Sequence, residues 1–218
     1  MSKTRLLLAL ALTTVLACAD EAKPAETPAG AASATAATTK APSAAPASYA
    51  ITAQNSKIDW TGSKVSAHHD GSFTSFTGQV DFAGTVEQSK VSIDIDTSSL
   101  TVVDPSLGPM VEKLIGHLKS PDFFDIAKFP KATFASTSIK AGGDNGAAYT
   151  VAGTLTVHGI SKPVTFPANI TVTGDKVNAD ATFSINRKDY GLVYPGKPDD
   201  AIKDDVVVKL SIHADKKS

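Results

Sequence analysis

The sequence predicts an all-β domain, an antiparallel sheet with one short helical insert. Two observations predict this fold class. Apolar and polar residues alternate with period two along most of the chain after residue 56, which is typical of strands with one buried and one solvated face. One stretch near residue 110 has helical periodicity instead. The 21 basic and 22 acidic side chains form no basic patch interleaved with aromatic residues, so nucleic acid is not an expected partner.

Residues 1–18 have the features of a secretory signal peptide. Lys3 and Arg5 precede an apolar run at 6–12 that is too short to cross a bilayer as a helix. The run ends in Val15-Leu16-Ala17-Cys18, which resembles the lipobox of bacterial lipoproteins, and Cys18 is the only cysteine of the chain. The resemblance implies lipidation of Cys18 and, with Ala19 following it, a periplasmic protein anchored to the outer membrane. The alternative is cleavage at Ala17-Cys18-Ala19, an A-x-A site, which releases a protein without an anchor.

Residues 19–48 consist almost wholly of Ala, Pro, Thr and Ser with a few charged residues. Such a segment has no large apolar side chain whose burial offsets the entropy of ordering, so we predict a disordered linker. The remaining residues, 49–218, are enough for one domain with a sizeable core.

Eight or nine candidate strands follow from the alternation, and turn residues such as His158-Gly159 and Gly174-Asp175 separate many of them. The apolar series are Ile58/Trp60, Val80/Phe82, Val91/Ile93/Ile95, Leu155/Val157, Val164/Phe166, Ile170/Val172, Val177 to Ile185 and Val206 to Ile212. Asp199, Asp200 and Lys203 are assigned to a loop before the last strand. A closed barrel and a two-layer sandwich both satisfy this pattern.

The helical insert begins near Met110. Val111, Leu114, Ile115 and Leu118 follow the spacing i, i+3, i+4, i+7 and form one apolar stripe. Ser120 is a suitable cap for a second, shorter helix whose first residue is Pro121. Packed at the end of a barrel, the insert is either a lid over a ligand or a simple cap on the core.

Three segments resemble the YceI-like family of lipid-binding barrels. They are GHLKSPDFFDIAKFPKATF at 116–134, VAGTLTVHGISKPVTFP at 151–167 and FSINRKDYGL at 183–192. The resemblance covers Tyr49 to His213 and implies an eight-stranded antiparallel barrel of lipocalin-like shape, wide enough to hold one small ligand. It also implies that the ligand is a long isoprenoid or similar amphiphile, such as a polyisoprenoid quinone.

No residue pattern argues for an enzyme, a metal or a cofactor. His68 and His69 point to opposite faces of a strand, and His117, His158 and His213 have no metal-ligand spacing. A G-x-S-x-G elbow is absent, and the only thiol lies in the lipobox. We therefore predict no catalytic residue, no metal site and no cofactor other than a bound lipid.

The candidate ligand-binding residues are large apolar side chains on inward faces. They are Trp60, Phe73, Phe76, Phe82, Leu118, Phe123, Phe124, Phe134, Leu155, Val157, Phe166, Phe183 and Ile185. Each is also a normal core residue, whether or not a ligand binds. Ala179, Ala181 and Gly153 are small inward positions that leave room for a cavity.

Three polar residues are expected at the barrel rim: His69, Arg187 and Tyr190. Arg187 either pairs with Asp189 or another carboxylate, or meets a polar headgroup together with Tyr190. The R-x-x-[YF]-G pattern at 187–191 matches the motif of the family.

The predicted function is periplasmic binding or carriage of a long-chain isoprenoid-like lipid, of polyprenyl or quinone type. The expected partners are that lipid and the membrane, through the N-terminal lipid anchor. A homodimer is left open, because no residue decides the oligomeric state. Two alternatives are a structural or interaction module whose barrel is filled by side chains, and an enzyme that acts on a quinone headgroup with a metal near the histidines.

Overall fold

The computed structural model describes residues 45–218 and is all-β except for one α-helix and four short 3-10 helices. The helix is α1 (Met110–Lys119). The strands are β1 (Ala47–Thr52), β2 (Lys57–Lys64), β3 (His68–Phe73), β4 (Phe76–Phe82), β5 (Lys90–Asp96), β6 (Leu100–Val102), β7 (Lys131–Ala141), β8 (Tyr149–Val157), β9 (Ile160–Thr173), β10 (Lys176–Asn186), β11 (Gly196–Lys197) and β12 (Asp200–Lys216).

These segments form a closed barrel of eight antiparallel strands, which confirms the predicted fold. β1 and β2 lie end to end along one edge of β12, with Ile51 opposite Ala214 and Lys57 opposite Ser211. β4 and β3 continue one another in the same way beside them, and β5 and β6 form the next pair. With β7, β8, β9, β10 and β12 these three composite strands make eight, and β12 closes the ring onto β1 and β2.

The breaks within the composite strands are held by local hydrogen bonds. The Ser56 hydroxyl donates to the carbonyl of His213 and accepts from the His213 amide, which bridges the gap between β1 and β2. The Asp96 carboxylate accepts from the Ser98 amide in the turn between β5 and β6. At these two breaks side-chain hydrogen bonds thus pair backbone groups where the strand pairing stops.

Alternation along each strand separates the barrel interior from water. In β12, Val206 and Val208 face inward, whereas Val207 between them is exposed on the outer wall. The inward side chains form two hydrophobic clusters, and partly buried residues such as Phe134 and Ile170 pack against both. Inward burial of every second residue is the arrangement that period-two sequences satisfy in a barrel. No helix in the part of the chain that the structure describes is long and apolar enough to span a bilayer.

The helical insert lies between β6 and β7, as predicted. Leu114 and Leu118 of the predicted stripe point into the barrel from α1. The prediction of a second helix after Ser120 is wrong, because residues 121–128 form a run of turns. Ser120 instead ends α1, and its hydroxyl donates to the His117 carbonyl at 2.7 Å. Asp125 then takes a φ of 41°, a conformation that does not continue a helix.

Strand boundaries differ from the predictions in three places. The two alternating series at 164–172 belong to one long strand, β9. β12 already begins at Asp200, so Asp200 and Lys203 are strand residues and not part of a loop. β1 begins at Ala47, two residues before the predicted domain boundary. The predicted signal peptide with Cys18, and the linker up to residue 44, lie outside the described residues.

The barrel has two distinct ends. The helical end comprises α1 with the segment 103–109 before it, the turns at 120–130, the hairpin turn at 65–67, the turn at 158–159 with the first residue of β9, and the segment 187–199. The far end comprises the loops at 83–89, 142–148 and 174–175 together with both termini of the described chain. The chain therefore enters the barrel at the end opposite to the helix.

Candidate functional site

A cavity of about 350 Å³ occupies the barrel interior and is the candidate site. Its wall extends from His69, Leu114 and Leu118 at the helical end to Phe82, Val86 and Ser89 at the far end. Only five polar side chains contribute to the wall: Ser63, Lys64, His69, Ser89 and Arg187. The remaining wall is apolar, so the cavity is suited to a ligand that is mostly hydrocarbon.

Twelve of the thirteen predicted apolar residues line this cavity. They are Trp60, Phe73, Phe82, Leu118, Phe123, Phe124, Phe134, Leu155, Val157, Phe166, Phe183 and Ile185. The rings of Phe166 and Phe183 stack with centroids 4.2 Å apart, and Phe134 packs at 5.7 Å from Phe166. These residues therefore form one continuous aromatic wall, although their role in ligand binding stays a prediction.

Phe76 and Tyr190 do not line the cavity. Phe76 is 5% exposed in β4 and packs within the core. Tyr190 is 2% exposed, so it does not stand at the rim. Burial, and to a smaller extent the charge of Asp189, raises the pKa of its phenol. Phe76 was predicted as an inward apolar residue and Tyr190 as a rim residue, yet neither pattern tells which residues touch a cavity and which fill the core.

Arg187 lines the cavity, but its guanidinium is bound by the protein itself. The side chain is buried, and Nε donates to the Lys203 carbonyl at 3.0 Å. The Nη atoms donate to the carbonyls of Leu192 and Ile202, and Nη2 lies 3.5 Å from the Asp204 carboxylate. Burial lowers the pKa of this guanidinium, an effect that Asp204 partly opposes. Of the two alternatives, this geometry favours pairing, with Asp204 and not with Asp189.

His69 is held at the helical end by Asp104. Its Nδ1 lies 2.7 Å from the Asp104 carboxylate, which also accepts hydrogen bonds from the hydroxyl and the amide of Ser106. The Ser106 hydroxyl, followed by His69, lowers the pKa of Asp104 from 3.8 to about 2. The interaction connects β3 to the segment that leads into α1. His68, as expected from its position on the strand, is exposed on the opposite face.

Lys64 is a wall residue that the sequence did not single out. It forms a salt bridge with Asp200, and the hydrogen bond from Lys64 lowers the pKa of that carboxyl. A lysine at the end of an alternating strand has the same appearance as a solvated lysine, so no sequence signal distinguishes it. The aliphatic wall residues that were also not singled out, among them Ile51, Ile93, Ile139 and Ile212, follow the same alternation as the predicted ones.

Small residues contribute to the cavity differently from the prediction. Ala179 and Ala181 belong to the wall, as expected. Gly153 does not leave free space, because a Cβ there would lie 2.5 Å from the Phe134 ring. Gly71 plays the same role for Trp60, whose ring atom Cζ2 lies 2.3 Å from such a Cβ. Both glycines therefore seat an aromatic ring against the backbone.

The indole of Trp60 has the one buried side-chain donor without a hydrogen-bond partner among residues 45–218. Its Nε1 is enclosed by the protein, while the rest of the side chain contributes to the cavity wall. A buried N–H without a partner costs about 1–3 kcal/mol relative to a paired one. The indole N–H of Trp60 is therefore an unsatisfied donor inside the protein.

His117 and His158 pack against neighbouring aromatic side chains. The ring of His117 packs edge-on to Phe123 and Tyr194, and its Nε2 lies 3.0 Å from the Asp122 carboxylate. His158 packs against Phe129 in the β8–β9 turn. Within residues 45–218 no three His, Asp or Glu side chains come close enough together to hold a metal ion.

Comparisons with known proteins agree with this architecture. The YceI-like domain matches residues 49–214. A UPF0312 protein of Pseudomonas putida is 34% identical over 164 residues, which are 72% of this chain and 81% of that protein. A UPF0312 protein of Pseudomonas fluorescens is 33% identical over 161 residues, 70% of this chain and 79% of that one.

Solved structures share the fold at lower identity. BcnA of Burkholderia cenocepacia is 24% identical with a TM-score of 0.62, over 75% of this chain and 98% of BcnA. A polyisoprenoid-binding domain of Saccharophagus degradans is 17% identical with a TM-score of 0.60, over 79% of this chain and 99% of that domain. Because the YceI-like domain spans most of its length and its Pseudomonas relatives share a third of the aligned residues, the chain belongs to the YceI-like family.

Proposed function

We propose that this protein binds one long-chain isoprenoid-like lipid, of polyprenyl or quinone type, inside the barrel. The observation that carries the proposal is the apolar cavity of about 350 Å³, which extends between the two ends of the barrel. Its volume lies in the range of small-molecule sites, about 300–1,000 Å³. The description of the Saccharophagus domain as polyisoprenoid-binding supports the same ligand class.

The driving force for binding comes from the hydrocarbon chain. Each methylene that leaves water contributes about 0.8 kcal/mol, and part of that gain is offset when the chain is immobilised. An apolar wall distinguishes poorly between chains of similar width. We therefore expect selection by length and width, with the polar group of the ligand adding a smaller contribution.

The charged groups of the cavity wall favour a neutral polar group over a phosphate. Lys64 is paired with Asp200, His69 with Asp104, and Arg187 with three carbonyls and Asp204. A phosphate would have to displace one of these carboxylates to gain a cation. A neutral polar group makes no such demand on these pairs.

We further propose that the protein carries or sequesters this lipid in the periplasm, tethered to the outer membrane through a lipid on Cys18. The support is the leader with its lipobox-like Val15-Leu16-Ala17-Cys18 and the Ala-rich segment before the barrel. Metabolic labelling with a radioactive fatty acid tests this part. Labelled protein in cells with the wild-type chain, and none with Cys18→Ser, is the expected result, whereas an unlabelled wild type indicates cleavage and release.

Lipid extraction tests the binding function. Residues 45–218 are expressed, purified and extracted with organic solvent, and the extract is identified by mass spectrometry. We expect one isoprenoid or other long-chain amphiphile per protein. The variant Phe183→Asp places a charge in the aromatic wall and should retain none, whereas Thr182→Asp places the same charge on the exposed neighbouring residue and should retain it.

Two outcomes would contradict the binding function. One is lipid retained by folded Phe183→Asp, which would mean that the ligand lies elsewhere. The other is a clean wild-type extract that stays clean after incubation with quinones and polyprenols. That result would favour the alternative of a non-enzymatic structural or interaction module of the cell envelope.

A further inference from the structure

Exposed apolar side chains gather at the helical end of the barrel. Among residues 45–218, six large apolar side chains are exposed. Five of them belong to the helical end: Val65 (70% exposed), Val103 (65%), Val193 (62%), Met110 (49%) and Ile160 (37%). The sixth, Val207, lies on the outer wall of β12, and the far end has none. Scattered exposed apolar residues are normal, but their concentration at one end is not.

These five residues come from separate segments that meet near the cavity. Val65 lies in the β2–β3 turn, next to the wall residue Lys64. Met110 begins α1, whose Leu114 and Leu118 belong to the wall. Val193 directly follows the wall residue Leu192. The exposed apolar residues therefore adjoin the part of the cavity wall that the helical end contributes.

The charges of the helical end are balanced. The segments 62–70, 102–131, 157–163 and 185–206 contain ten basic and ten acidic side chains. A surface of this kind has no net attraction for a strongly charged partner, so contact with it depends on apolar burial. The surface that fits both features is a zwitterionic phospholipid bilayer, which presents apolar chains beneath a layer of headgroups without net charge.

We propose that the helical end docks on a phospholipid bilayer and that the ligand passes there between the membrane and the cavity. The inference rests on the proposed lipid-binding function. Moving a long hydrocarbon chain from a membrane into water costs a free energy of about 0.8 kcal/mol for each methylene that becomes hydrated. Docking removes that barrier, because the chain moves from one apolar environment directly into another.

The chain outside the structure is long enough to permit this orientation on the membrane that would hold Cys18. The described chain begins at Ala45, at the far end, and 26 residues separate Ala45 from Cys18. Fully extended, they span at most about 90 Å. The longest strand, β12, has 17 residues and measures about 55 Å at the usual rise. A domain tethered at its far end can therefore turn its helical end towards the same membrane.

Vesicle binding tests the docking surface, with residues 45–218 as the protein. This fragment contains the whole closed barrel, and in BcnA the matching region makes up 98% of the chain. Wild type, Val65→Glu/Val193→Glu and Val207→Glu are sedimented with phosphatidylcholine vesicles. We expect binding of the wild type and of Val207→Glu, which exchanges an exposed valine on the barrel wall. The double variant should bind at least tenfold more weakly.

Lipid transfer gives a second readout. The rate at which a fluorescent polyprenyl ketone moves from the protein to acceptor vesicles should rise with vesicle concentration for the wild type and for Val207→Glu. For the double variant it should be slower and independent of vesicle concentration, because the lipid must first dissociate into water. Met110→Glu/Val103→Glu replaces the double variant if that protein does not fold.

Three results would overturn the docking proposal: no vesicle binding by the wild type, equal binding by all variants, or binding only to anionic vesicles at low salt. A second measurement distinguishes a failure of the docking proposal from a failure of the lipid-binding function. It is the equilibrium binding of the same fluorescent probe, added from ethanol without vesicles. A probe that binds every variant leaves lipid binding intact when docking fails. A probe that binds none of them contradicts the lipid-binding function and, with it, the docking proposal.

Discussion

The cavity wall at the helical end of the barrel differs in composition from the cavity wall at the far end. At the far end the wall residue Val177 is 2% exposed, and Ile139 and Val151 are no more than 5% exposed. At the helical end Leu114 and Leu118 are half-buried, and the charged wall residues Lys64 and Arg187 are held by partners from neighbouring segments. The charged side chains of the cavity wall thus all belong to the helical end.

This difference suggests that the far end contributes mainly to the stability of the fold and the helical end to access of the ligand to the cavity. Hairpin loops and regular pairing close the far end, so its wall residues contribute mainly to folding. The helical end interrupts the β-structure with α1 and turns, whose backbone lies outside the strand pairing. Segments of that kind open locally at lower free energy than the strands. We therefore expect the ligand to enter at the helical end.

The largest expected effect comes from placing one carboxylate at each end. Ile139→Asp buries a charge without a partner and should lower the free energy of unfolding by at least about 4 kcal/mol. Leu114→Asp, on the half-buried face of α1, should cost only about 1–2 kcal/mol. Urea-induced unfolding measures both, and Ile139→Val is the control, with an expected loss of about 1 kcal/mol. Equal losses for the two aspartates would show that the ends do not differ in burial.

Removing the guanidinium of Arg187 should have the next largest effect. Arg187→Met leaves the carbonyls of Leu192, Lys203 and Ile202 without their donor. We expect a loss of about 3 kcal/mol in urea unfolding. Lys188→Met removes the exposed cation that also contacts Asp204 and should cost less than about 1 kcal/mol. A stable Arg187→Met that no longer binds lipid would instead assign Arg187 to ligand binding.

Acid should weaken the attachment of the helical insert through Asp104. Because the folded state lowers the pKa of Asp104 to about 2, its carboxylate stabilises the fold above pH 4. That contribution is lost as the pH falls from about 4 to 2. The free energy of unfolding of the wild type should therefore fall more steeply over this interval than that of Asp104→Asn. Asp122→Asn, an exposed carboxylate paired with His117, is the control, and identical slopes for all three proteins would contradict the assignment.

The smallest effect is expected for Trp60→Phe. The exchange removes the unpartnered N–H and keeps an aromatic ring, so the free energy of unfolding should change by less than about 1 kcal/mol. Because Nε1 is enclosed by the protein, affinity for a polyprenyl ketone and for the matching hydrocarbon should change by the same factor. A larger loss for the ketone would show that the indole N–H does contact the ligand.

The residues of the candidate site could be predicted where strand alternation determines which side chains face inward. They could not be predicted where contacts between residues distant in sequence determine them. Phe134, Phe166 and Phe183 were identified because a strand must bury every second residue. Tyr190 was predicted at the rim from the pattern at 187–191, and only the packing of its turn shows that it fills the core away from the cavity. Lys64 has no sequence signal, because its role depends on Asp200, 136 residues later. The carboxylate partner of Arg187 could not be identified from the sequence either, since Asp189 is near in sequence whereas Asp204 is near in space.

Local sequence determined the strands, the helix at Met110 and the family, because periodicity and turn residues act over a few positions. The second helix at Ser120 was the local prediction that failed, since the Ser120 hydroxyl bonds back to α1. Tertiary structure alone decided how eleven strand segments merge into eight, which residues border the cavity, and that exposed apolar residues gather at one end. The physical reason is that barrel closure brings together residues more than 100 positions apart, such as Tyr49 and Lys216, and no local pattern encodes that pairing.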